Sequence, residues 1–487
     1  MRTSKAGALS VAAMAMVLTL ASAAGAQTWK KIGHQPTFQT DTALLLTDGT
    51  VMMHEIMSPN WWRLTPNLKG SYQKGTWSQL ASMQSTYGPL YFASQVLPDG
   101  RVLVEGGEYN LGSQSETNLG AIYDPTTNTW TTVNPPSGWT NIGDSPAIVL
   151  PDGTFLIGNA FSTQTAAFDP SNLSWSFVGS GKKDSFSEEG WALLPDNSVL
   201  TVDTENGTQA EKFLPATSKW VSAGSTKVLL PNSGGLGIVP EMGPIVLLPS
   251  GQAFAMGATT HTATYTPPAN PTQPGTWQAG PDFPGGNDMA DAPAAVLPSG
   301  NVLCITSPGV FNNPVSVYEF DGTSFNSVPA PASAKHITSY EGRLLVLPTG
   351  QVLFDVADGA TKDVELYTPA GSPNSAWAPT ITSAPATVTR GSTYQISGTQ
   401  FNGLDAGAAY GDDVQMNTNY PLVRITNNKT KHVFYARTHD HSTMGVATGS
   451  QTVSTNFDVP AAAETGASTI IVVANGIPSS SASVTVQ

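Results

Sequence analysis

The sequence predicts an all-β protein, a seven-bladed kelch-type β-propeller followed by a C-terminal Ig-like β-sandwich. Three observations carry this prediction. A short apolar run that ends in a turn recurs seven times, and consecutive turns are 44 to 54 residues apart. An aromatic strand closed by Trp or Phe follows most of these runs. Charged residues make up only 11 % of the chain, whereas Gly and Pro number 47 and 37, a composition that suits strands joined by tight turns.

The N-terminal 26 residues have the pattern of a signal peptide. Arg2 and Lys5 form a short basic start, an apolar stretch runs from Ala6 to about Ala21, and the small residues Ala24, Gly25 and Ala26 follow. The apolar stretch is short for a membrane span. We therefore expect a mature protein that begins near Gln27 and is secreted or periplasmic.

Each repeat is written as a strand, a tight turn and a second strand, such as RVLVEGG at 101–107. A third strand and a closing aromatic strand follow, as in YDPTTNTW at 123–130. Four strands per unit and a period near 50 residues are typical of a propeller blade. The turn residues are Thr47, Pro98, Pro151, Pro195, Pro249, Pro298 and Pro348.

The closing aromatics outnumber the repeats, since eight of them accompany seven hairpins. They are Trp29, Trp77, Trp130, Trp175, Trp220, Trp277, Phe325 and Trp377. One of the end strands is therefore free to join the two ends of the ring. The strand at Trp29 is expected to complete the last blade, with Trp377 opening the linker to the next domain as the alternative.

The repeat pattern stops near residue 378. From Pro379 the chain becomes alternating and rich in Thr and Ser, which predicts a separate sandwich. We expect domains at 27–377 and 378–487.

The charge of the chain bounds its partners. A formal net charge of −14 argues against nucleic acid and against an anionic membrane surface. No second long apolar segment follows the leader, so no membrane span is expected in the mature chain. Cys304 is the single cysteine, which excludes an intrachain disulfide. A monomer is expected.

Counting back from the turn residue of each hairpin locates the start of the first strand in every blade, and we call this count the hairpin ruler. These starts should lie at one mouth of the central channel. Six of the seven blades place a carboxylate six to eight residues before the turn, and the seventh places Tyr91 there. The acidic positions are Asp41, Asp144, Glu188 with Glu189, Glu241, Asp291 and, beside Tyr340, Glu341.

A ring of carboxylates needs neutralisation, because like charges that lie close together raise each other's pKa or bind a cation. Three interpretations stay open. Arg343 or Arg437 could neutralise the ring by salt bridges, a metal ion could bind in it, or it could line a polar pocket without metal. Oxygen ligands favour Ca²⁺, Mg²⁺ or Mn²⁺, and added imidazole favours Zn²⁺, Mn²⁺, Fe or Cu.

His439 and His441 form a His-x-His pair that could chelate a metal or only hydrogen-bond its own loop. The pair Asp412–Asp413 after Gly411 predicts a turn, with a Ca²⁺ ligand as the alternative. Trp61 and Trp62 could stack on a sugar or pack in the core. Gly106 and Gly107 are interpreted as structural.

The architecture resembles the galactose oxidase and glyoxal oxidase family. The C-terminal region carries the more specific likeness, in PLVRITN (421–427), ARTHDHSTM (436–444) and the ending IPSSSASVTVQ. The resemblance implies a copper site of two Tyr and two His, one Tyr being cross-linked to a Cys. It also implies that a loop of the last domain brings one His up the propeller axis, here matched by His439.

Residue by residue, the resemblance is partial. Tyr91 in YFASQVLPDGR matches the cross-linked Tyr, and Tyr340 in YEGRLLVLPTG matches the axial Tyr. Glu341 stands where the family has a His, and the cross-linking Cys falls near Thr40. Without the cross-link, a radical copper mechanism loses its redox partner.

Two functions follow from these patterns. The first is a galactose-oxidase-like protein whose axial pocket joins Tyr91, Tyr340, Glu341, His439 and His441. It would act on or bind a carbohydrate, a small polyol or an aldehyde.

In that first function His439, His441 and Glu341 would hold one metal, copper by resemblance, with Mn, Zn or Ca also open. If it is an enzyme, it is a metal-dependent oxidoreductase on alcohol or aldehyde groups, with Glu341 as base. In an oxidase, Tyr340 would be the base and Tyr91 the redox group. The alternative function is a non-catalytic module that binds glycans or proteins outside the cell.

Overall fold

The computed structural model describes residues 27–413 and 416–487. The predicted leader, residues 1–26, lies outside the described residues. Within them, regular structure consists of β-strands and short 3-10 helices. The helices are Tyr72–Lys74, Pro215–Thr217, Pro284–Gly286, Ala332–Lys335, Ser339–Glu341 and Ser375–Trp377. No helix of this part of the chain is long and apolar enough to cross a membrane.

Seven antiparallel blades follow the seven predicted repeats, so the all-β propeller expected from the sequence is confirmed. Blade 1 contains Thr40–Leu45, Val51–Glu55, Trp61–Thr65 and Thr76–Gln79. Blade 2 contains Ala93–Val96, Val102–Glu105, Gly120–Asp124 and Thr129–Val133. Blade 3 contains Ala147–Val149, Phe155–Gly158, Thr165–Asp169 and Ser174–Val178. Blade 4 contains Ala192–Leu193, Val199–Val202, Gln209–Leu214 and Lys219–Ser225.

The later blades repeat this order with two additions from distant parts of the chain. Blade 5 contains Met242–Leu247, Ala253–Gly257, Thr262–Thr266 and Thr276–Ala279. Blade 6 contains Ala294–Val296, Val302–Thr306, Ser316–Phe320 and Phe325–Ser327, with Ala408–Ala409 as a fifth strand. Blade 7 contains Gly342–Val346, Val352–Val356, Val364–Thr368 and the N-terminal strand Thr28–Lys31. A small separate sheet joins Pro89–Leu90, Tyr109–Asn110 and Ser113–Gln114.

The N-terminal strand closes the ring. Trp29 lies opposite Tyr367 in the ladder, and its indole N–H donates to the carbonyl of Pro329 at 2.6 Å. Trp377 instead packs against Gly300, at the turn of blade 6. The question left open by the sequence is therefore answered in favour of Trp29.

The apolar runs of the repeats form the first and second strands of each blade. These strands are almost completely buried, because each sheet is covered by its neighbours on both faces. Strands covered in this way read as continuous apolar runs rather than as alternating ones.

The propeller has two faces that differ in what covers them. We call the face with the turns between first and second strands the hairpin face, and the opposite one the mouth face. The C-terminal region contacts the hairpin face. The backbone N–H groups of Thr438, His441 and Met444 donate to the carbonyls of Thr47, Pro98 and Pro151.

The C-terminal region forms a nine-stranded β-unit around its own apolar core. Its strands are Thr380–Ser383, Thr387–Val388, Thr393–Thr399, Leu422–Asn427, Val433–His439, Val453–Asp458, Gly466–Ala474, Ile477–Pro478 and Ala482–Val486. Val453–Asp458 alternates buried and half-buried residues, as expected for a strand with one face on the core.

One segment of the C-terminal region enters the propeller axis. We call its described residues, 404–413 and 416–420, the axial loop. Ala408 and Ala409 pair with Ala295 and Ala294 in the first strand of blade 6. The hydroxyl of Tyr420 donates to the carbonyl of Leu45 in blade 1 as the loop returns.

Candidate metal centre

The starts of the first strands converge at the mouth face, as the hairpin ruler predicts. Asp144, Glu188 and Asp291 each stand seven residues before the turn proline of their blade, and Glu241 stands eight before it. Carboxylate oxygens of Glu188, Glu241 and Asp291 lie within 4.8 Å of one another. Four consecutive blades therefore contribute to one acidic site.

The axial loop completes this site from below. Asp412 lies within the same distance of Asp144 and Glu188, and the pair Asp412–Asp413 within the same distance of Asp291. We call the six residues the acidic cluster: Asp144, Glu188, Glu241, Asp291, Asp412 and Asp413. These groups could hold a metal ion.

Close approach of the loop explains Gly411. A Cβ atom on Gly411 would lie 2.2 Å from a carboxylate oxygen of Asp291, so a side chain here would displace that carboxylate from the cluster. On the other side, a Cβ on Gly190 of blade 4 would lie 2.3 Å from the carbonyl oxygen of Gly411. The two glycines let the backbone of the loop pass close to blades 4 and 6, and this brings Asp412 to the cluster.

The backbone at the mouth adopts an uncommon conformation in three blades. Tyr91, Glu188 and Asp291 occupy the same register position and have φ values of 52°, 58° and 50°. Non-glycine residues in this left-handed region carry a conformational cost and occur often at ligand sites. The turn directs each side chain from the start of the first strand towards the mouth.

Burial and mutual repulsion raise the pKa values of the cluster. Burial and then the charge of Asp412 raise the pKa of Glu188, and burial and then Asp413 do the same for Asp412. Burial and the charge of Asp291 raise the pKa of Glu241 to about 8. Burial and the charge of Asp144 raise the pKa of Asp291 to about 7.

Two further carboxylates face the cluster from the connection after the second strand of blade 2. Burial, followed by the charge of Asp144, raises the pKa of Glu108 to about 8 and that of Glu116 to about 7. The mouth therefore takes up protons near neutral pH unless a cation replaces them.

One buried cation, Arg343, lies beside the cluster rather than within it. Its guanidinium lies 3.4 Å from Asp41 and donates to the carbonyl of Tyr340 at 2.7 Å. It also stacks over the ring of Tyr410 at 4.2 Å and faces that of Tyr91 at 5.6 Å. Arg343 lowers the pKa of Asp291 only as a lesser cause, after burial and Asp144 have raised it.

Aromatic side chains line the mouth next to the cluster. The ring of Tyr91 lies 6.2 Å from that of Tyr109 and 6.5 Å from that of Tyr340, and Phe311 lies 4.9 Å from Tyr340. All four residues are half-buried. The two tyrosines expected from the sequence are thus neighbours, and they form part of an aromatic wall.

Glu189 does not join the acidic cluster, although the sequence analysis placed it in the ring. The left-handed backbone at Glu188, with a φ of 58°, turns its side chain towards the mouth, whereas the side chain of Glu189 points away from it. Its carboxylate contacts Lys182 at 2.8 Å, and Lys182 also contacts Asp184, Glu211 and Asp203. This buried network is a separate structural feature.

Asp41 and Glu341, two other expected ring members, are engaged elsewhere. Asp41 lies 3.0 Å from the imidazole of His54, in addition to its contact with Arg343. Glu341 accepts from the backbone N–H of Thr338 at 2.8 Å and caps the short helix Ser339–Glu341. Burial raises the pKa of Glu341, but no contact joins it to the acidic cluster in the described chain.

The histidine pair lies at the opposite face. His439 contacts Asp440 at 2.7 Å and Asp458 at 3.2 Å, and His441 contacts the hydroxyl of Thr455 at 2.9 Å. Burial, with the charge of His439 as a lesser cause, lowers the pKa of His441 to about 3.

The backbone of His441 bonds to Pro98, which follows the first strand of blade 2 at the hairpin face. Tyr91 precedes the same strand at the mouth face, seven residues earlier and roughly 20 Å from Pro98. The expected pocket of Tyr91, Tyr340, Glu341, His439 and His441 is therefore not assembled. The hairpin ruler does not apply to the C-terminal region, because this region lacks the repeat. It therefore could not show which face of the propeller this region covers.

The axial position is occupied by the segment that carries Asp412 and Asp413, and not by the segment of His439 as the resemblance implied. Asp412 and Asp413, which were expected to form a turn, are the contribution of the C-terminal region to the acidic cluster. The available signal was the run of small residues from Ala406 to Ala409, which suits a segment threaded into a narrow channel. Trp61 is fully buried and Trp62 stacks on Phe38, so both pack internally.

The donors at the mouth do not fit copper. Within residues 27–413 and 416–487, every cluster of three or more ligand side chains whose ligand atoms lie within 4.8 Å of one another consists of carboxylates alone. Imidazole and thiolate ligands suit copper, whereas carboxylates suit Ca²⁺, Mg²⁺ and Mn²⁺. Cys304 is buried in blade 6 against Met256.

Comparison with known proteins supports the fold. No protein-family model matches the chain, and no curated protein matches it. The structure is similar to that of a fungal alcohol oxidase of the AA5 family in complex with copper, with a TM-score of 0.54 and 15 % identity. That match covers 95 % of this chain and 99 % of the other.

A second match is to a catalytically inactive virginiamycin B lyase from Staphylococcus aureus, solved with quinupristin. It has a TM-score of 0.47 and 8 % identity, and covers 70 % of this chain and 99 % of that one. At 15 % identity the likeness to the alcohol oxidase shows the fold alone, and chemistry has to be argued from the site.

Proposed function

We propose that the acidic cluster binds a hard divalent cation and that this cation, with the aromatic wall, binds hydroxyl groups of a carbohydrate or small polyol. The observation that carries the proposal is the convergence of six carboxylates from four blades and the axial loop. Charges of one sign brought together in this way are unfavourable unless protons or a cation balance them.

Calcium is the cation that we favour. An all-oxygen donor set with six or more oxygens available matches its coordination of six to eight oxygen ligands. If the chain is exported, as its N-terminal pattern predicts, it would meet calcium at the concentrations for which extracellular sites bind at about 10⁻⁴ to 10⁻³ M. Mn²⁺ and Mg²⁺ are weaker candidates with the same preference for oxygen.

The aromatic wall supports a polyol as the ligand. Ring faces of Tyr91, Tyr109 and Tyr340 are half-buried at the mouth. Such faces pack against the C–H surface of a sugar, and the phenol hydroxyls can exchange hydrogen bonds with its hydroxyls. Arg343 and Tyr410 hold the backbone of Tyr340 in place, since both donate to its carbonyl at 2.7 Å.

The alcohol oxidase that shares this architecture was solved with copper, but the residues here do not fit that role. Asp and Glu surround the mouth, whereas His439 and His441, the expected imidazole ligands, lie on the hairpin face. We therefore propose cation-dependent binding in place of copper oxidation, with Tyr91 and Tyr340 as contact residues.

The test is cation titration of the purified protein by calorimetry, with Asp291→Asn as the site variant. Asparagine accepts the left-handed backbone at this position, so the change removes charge without new strain. Asp152→Asn, at the exposed turn of blade 3, is the matched control. We expect one calcium per chain, at least tenfold weaker binding in Asp291→Asn, and no change in the control.

A panel of monosaccharides and polyols, added with calcium and with EDTA, then tests the ligand. Binding that requires calcium supports the proposal. Copper binding tighter than calcium at the mouth, or equal calcium affinity in Asp291→Asn, would refute it.

A further inference from the structure

The connection between the second and third strands of blade 2 places two carboxylates at the edge of the mouth. We call residues 108–116 the blade 2 insert. Its strands Tyr109–Asn110 and Ser113–Gln114 pair with each other, and Tyr109–Asn110 also pairs with Pro89–Leu90. The insert is therefore held as a small sheet beside the first strand of blade 2.

The backbone of the insert fixes Glu108 and Glu116 next to each other and next to Tyr91. The N–H of Glu108 donates to the carbonyl of Tyr91 at 3.0 Å, and the N–H of Glu116 donates to the carbonyl of Glu108 at 3.0 Å. Both glutamates are half-buried, and Oε2 of Glu116 is buried without a hydrogen-bond partner among the described residues. The charge of Asp144 raises the pKa of both side chains, so they lie beside the acidic cluster.

The insert also brings an aromatic ring to these carboxylates. The ring of Tyr109 meets that of Tyr91 edge to face, with the two centres 6.2 Å apart. The charge of Glu108 is the main cause that raises the pKa of Tyr109, which places this carboxylate close to the phenol. Carboxylates beside an aromatic ring attract an ammonium group, through charge-assisted hydrogen bonds and through the negative face of the ring.

One divalent cation does not balance the charge of the mouth. It supplies two positive charges, whereas the acidic cluster contains six carboxyls and the insert adds two more. Lysines occur only on outer connections of this face in the described chain, at Lys183, Lys227, Lys335 and Lys362. Further carboxylates share these outer connections, at Glu205, Asp282, Asp358 and Asp363. The charge at the mouth therefore favours a ligand that is itself positive over a neutral or anionic one.

We infer that the mouth selects an amino sugar, whose ammonium group binds between Glu108, Glu116 and the ring of Tyr109. This inference rests on the proposed function, because the hydroxyls of the same sugar would bind the cation held by the acidic cluster. An ammonium group has three N–H donors, enough to reach both glutamates and to supply the missing partner of Glu116. A hydroxyl or an acetylated amine at the same ring position carries no charge and gains only neutral hydrogen bonds.

Calorimetric titration of the calcium-loaded protein with glucosamine, N-acetylglucosamine and glucose tests the inference, because the three sugars share one ring and differ at one substituent. We expect glucosamine to bind at least about tenfold more tightly than the other two. In the double variant Glu108→Gln, Glu116→Gln, the ratio of glucosamine to glucose affinity should fall at least about fivefold. Glu205→Gln is the matched control, because Glu205 is exposed on the mouth face in a connection of blade 4, and it should keep the ratio.

Equal affinity for glucosamine and glucose, with calcium required for both, would overturn this inference and leave the proposed function standing. A preference for glucosamine that survives in the double variant would also overturn it, because the ammonium group would then bind elsewhere. So would glucosamine that binds in EDTA and is displaced by calcium, because the ammonium group would then take the place of the cation. If none of the three sugars binds to protein that takes up calcium, polyol binding itself is refuted and this inference with it.

Discussion

The chain contains two groups of buried carboxylates, one around Lys182 and one in the acidic cluster, and their charge is balanced in different ways. Lys182 is fully buried and contacts four of them, with Glu189 at 2.8 Å and Glu211 at 3.2 Å. Burial by itself would lower the pKa of Lys182, but Glu189 and Asp203 raise it above its ordinary value. In the Lys182 network a lysine lies among the carboxylates, whereas Arg343 lies beside the acidic cluster and lowers the pKa of Asp291 only as a lesser cause.

Replacing Lys182 by methionine tests whether its charge neutralises the surrounding buried carboxylates. Removing one partner of a buried ion pair leaves uncompensated charge, which costs about 3–5 kcal/mol. We expect Lys182→Met to lower the free energy of unfolding in urea at pH 7.5 by that amount. The exposed neighbour Lys183→Met is the control. A loss no greater than that of the control would show that the surrounding carboxylates are already protonated.

Register and side-chain direction decide how far single residues could be predicted. The hairpin ruler located Asp144, Glu188, Glu241 and Asp291 because equivalent positions of a repeat occupy equivalent places in the ring. It could not choose between Glu188 and Glu189, since the left-handed turn at Glu188 fixes which of them faces the mouth. That turn has no signature in the local sequence.

At the scale of elements, the axial loop decides what the mouth can bind. It brings Asp412 and Asp413 to four blades, and its only pairing with a blade is through two alanines, Ala408 and Ala409, among the described strands. The seven blades could be predicted from their repeat. The threading of this loop could not, because a segment of small residues fits many surroundings and only the assembled channel selects one.

Ala408→Leu tests the dependence of the site on the loop. Ala408 is buried against the first strand of blade 6, and overpacking of such a position costs about 1–3 kcal/mol. We expect a lower free energy of unfolding and, in addition, weaker calcium binding, because the loop can no longer seat Asp412. Ala462→Leu, an exposed change in the C-terminal region, should alter neither. Unchanged calcium affinity in Ala408→Leu would show that the blades alone form the centre.

At the scale of the whole molecule, the cluster couples stability to pH and to cations. The mouth carboxyls have pKa values raised by burial, to about 7 for Asp291 and about 8 for Glu241. Such groups bind protons more tightly in the folded state than in the unfolded chain. Their contribution to stability is therefore complete below the unfolded pKa and is lost as the pH rises through the folded pKa.

The melting temperature of the protein in EDTA should consequently fall as the pH is raised from 6 to 8.5. Calcium binds the ionised carboxylates and stabilises only the folded chain, so it should remove most of this fall and raise the melting temperature most at the upper end of the range. Asp291→Asn should flatten the profile in EDTA and melt at a higher temperature than the natural chain at pH 8, because one repelling charge is gone. Differential scanning calorimetry at four pH values, with EDTA or with calcium, measures all of these effects. A variant that melts lower than the natural chain in EDTA would mean that Asp291 is held by a stabilising ion pair, and the mouth would then be a salt-bridged part of the fold rather than a cation centre.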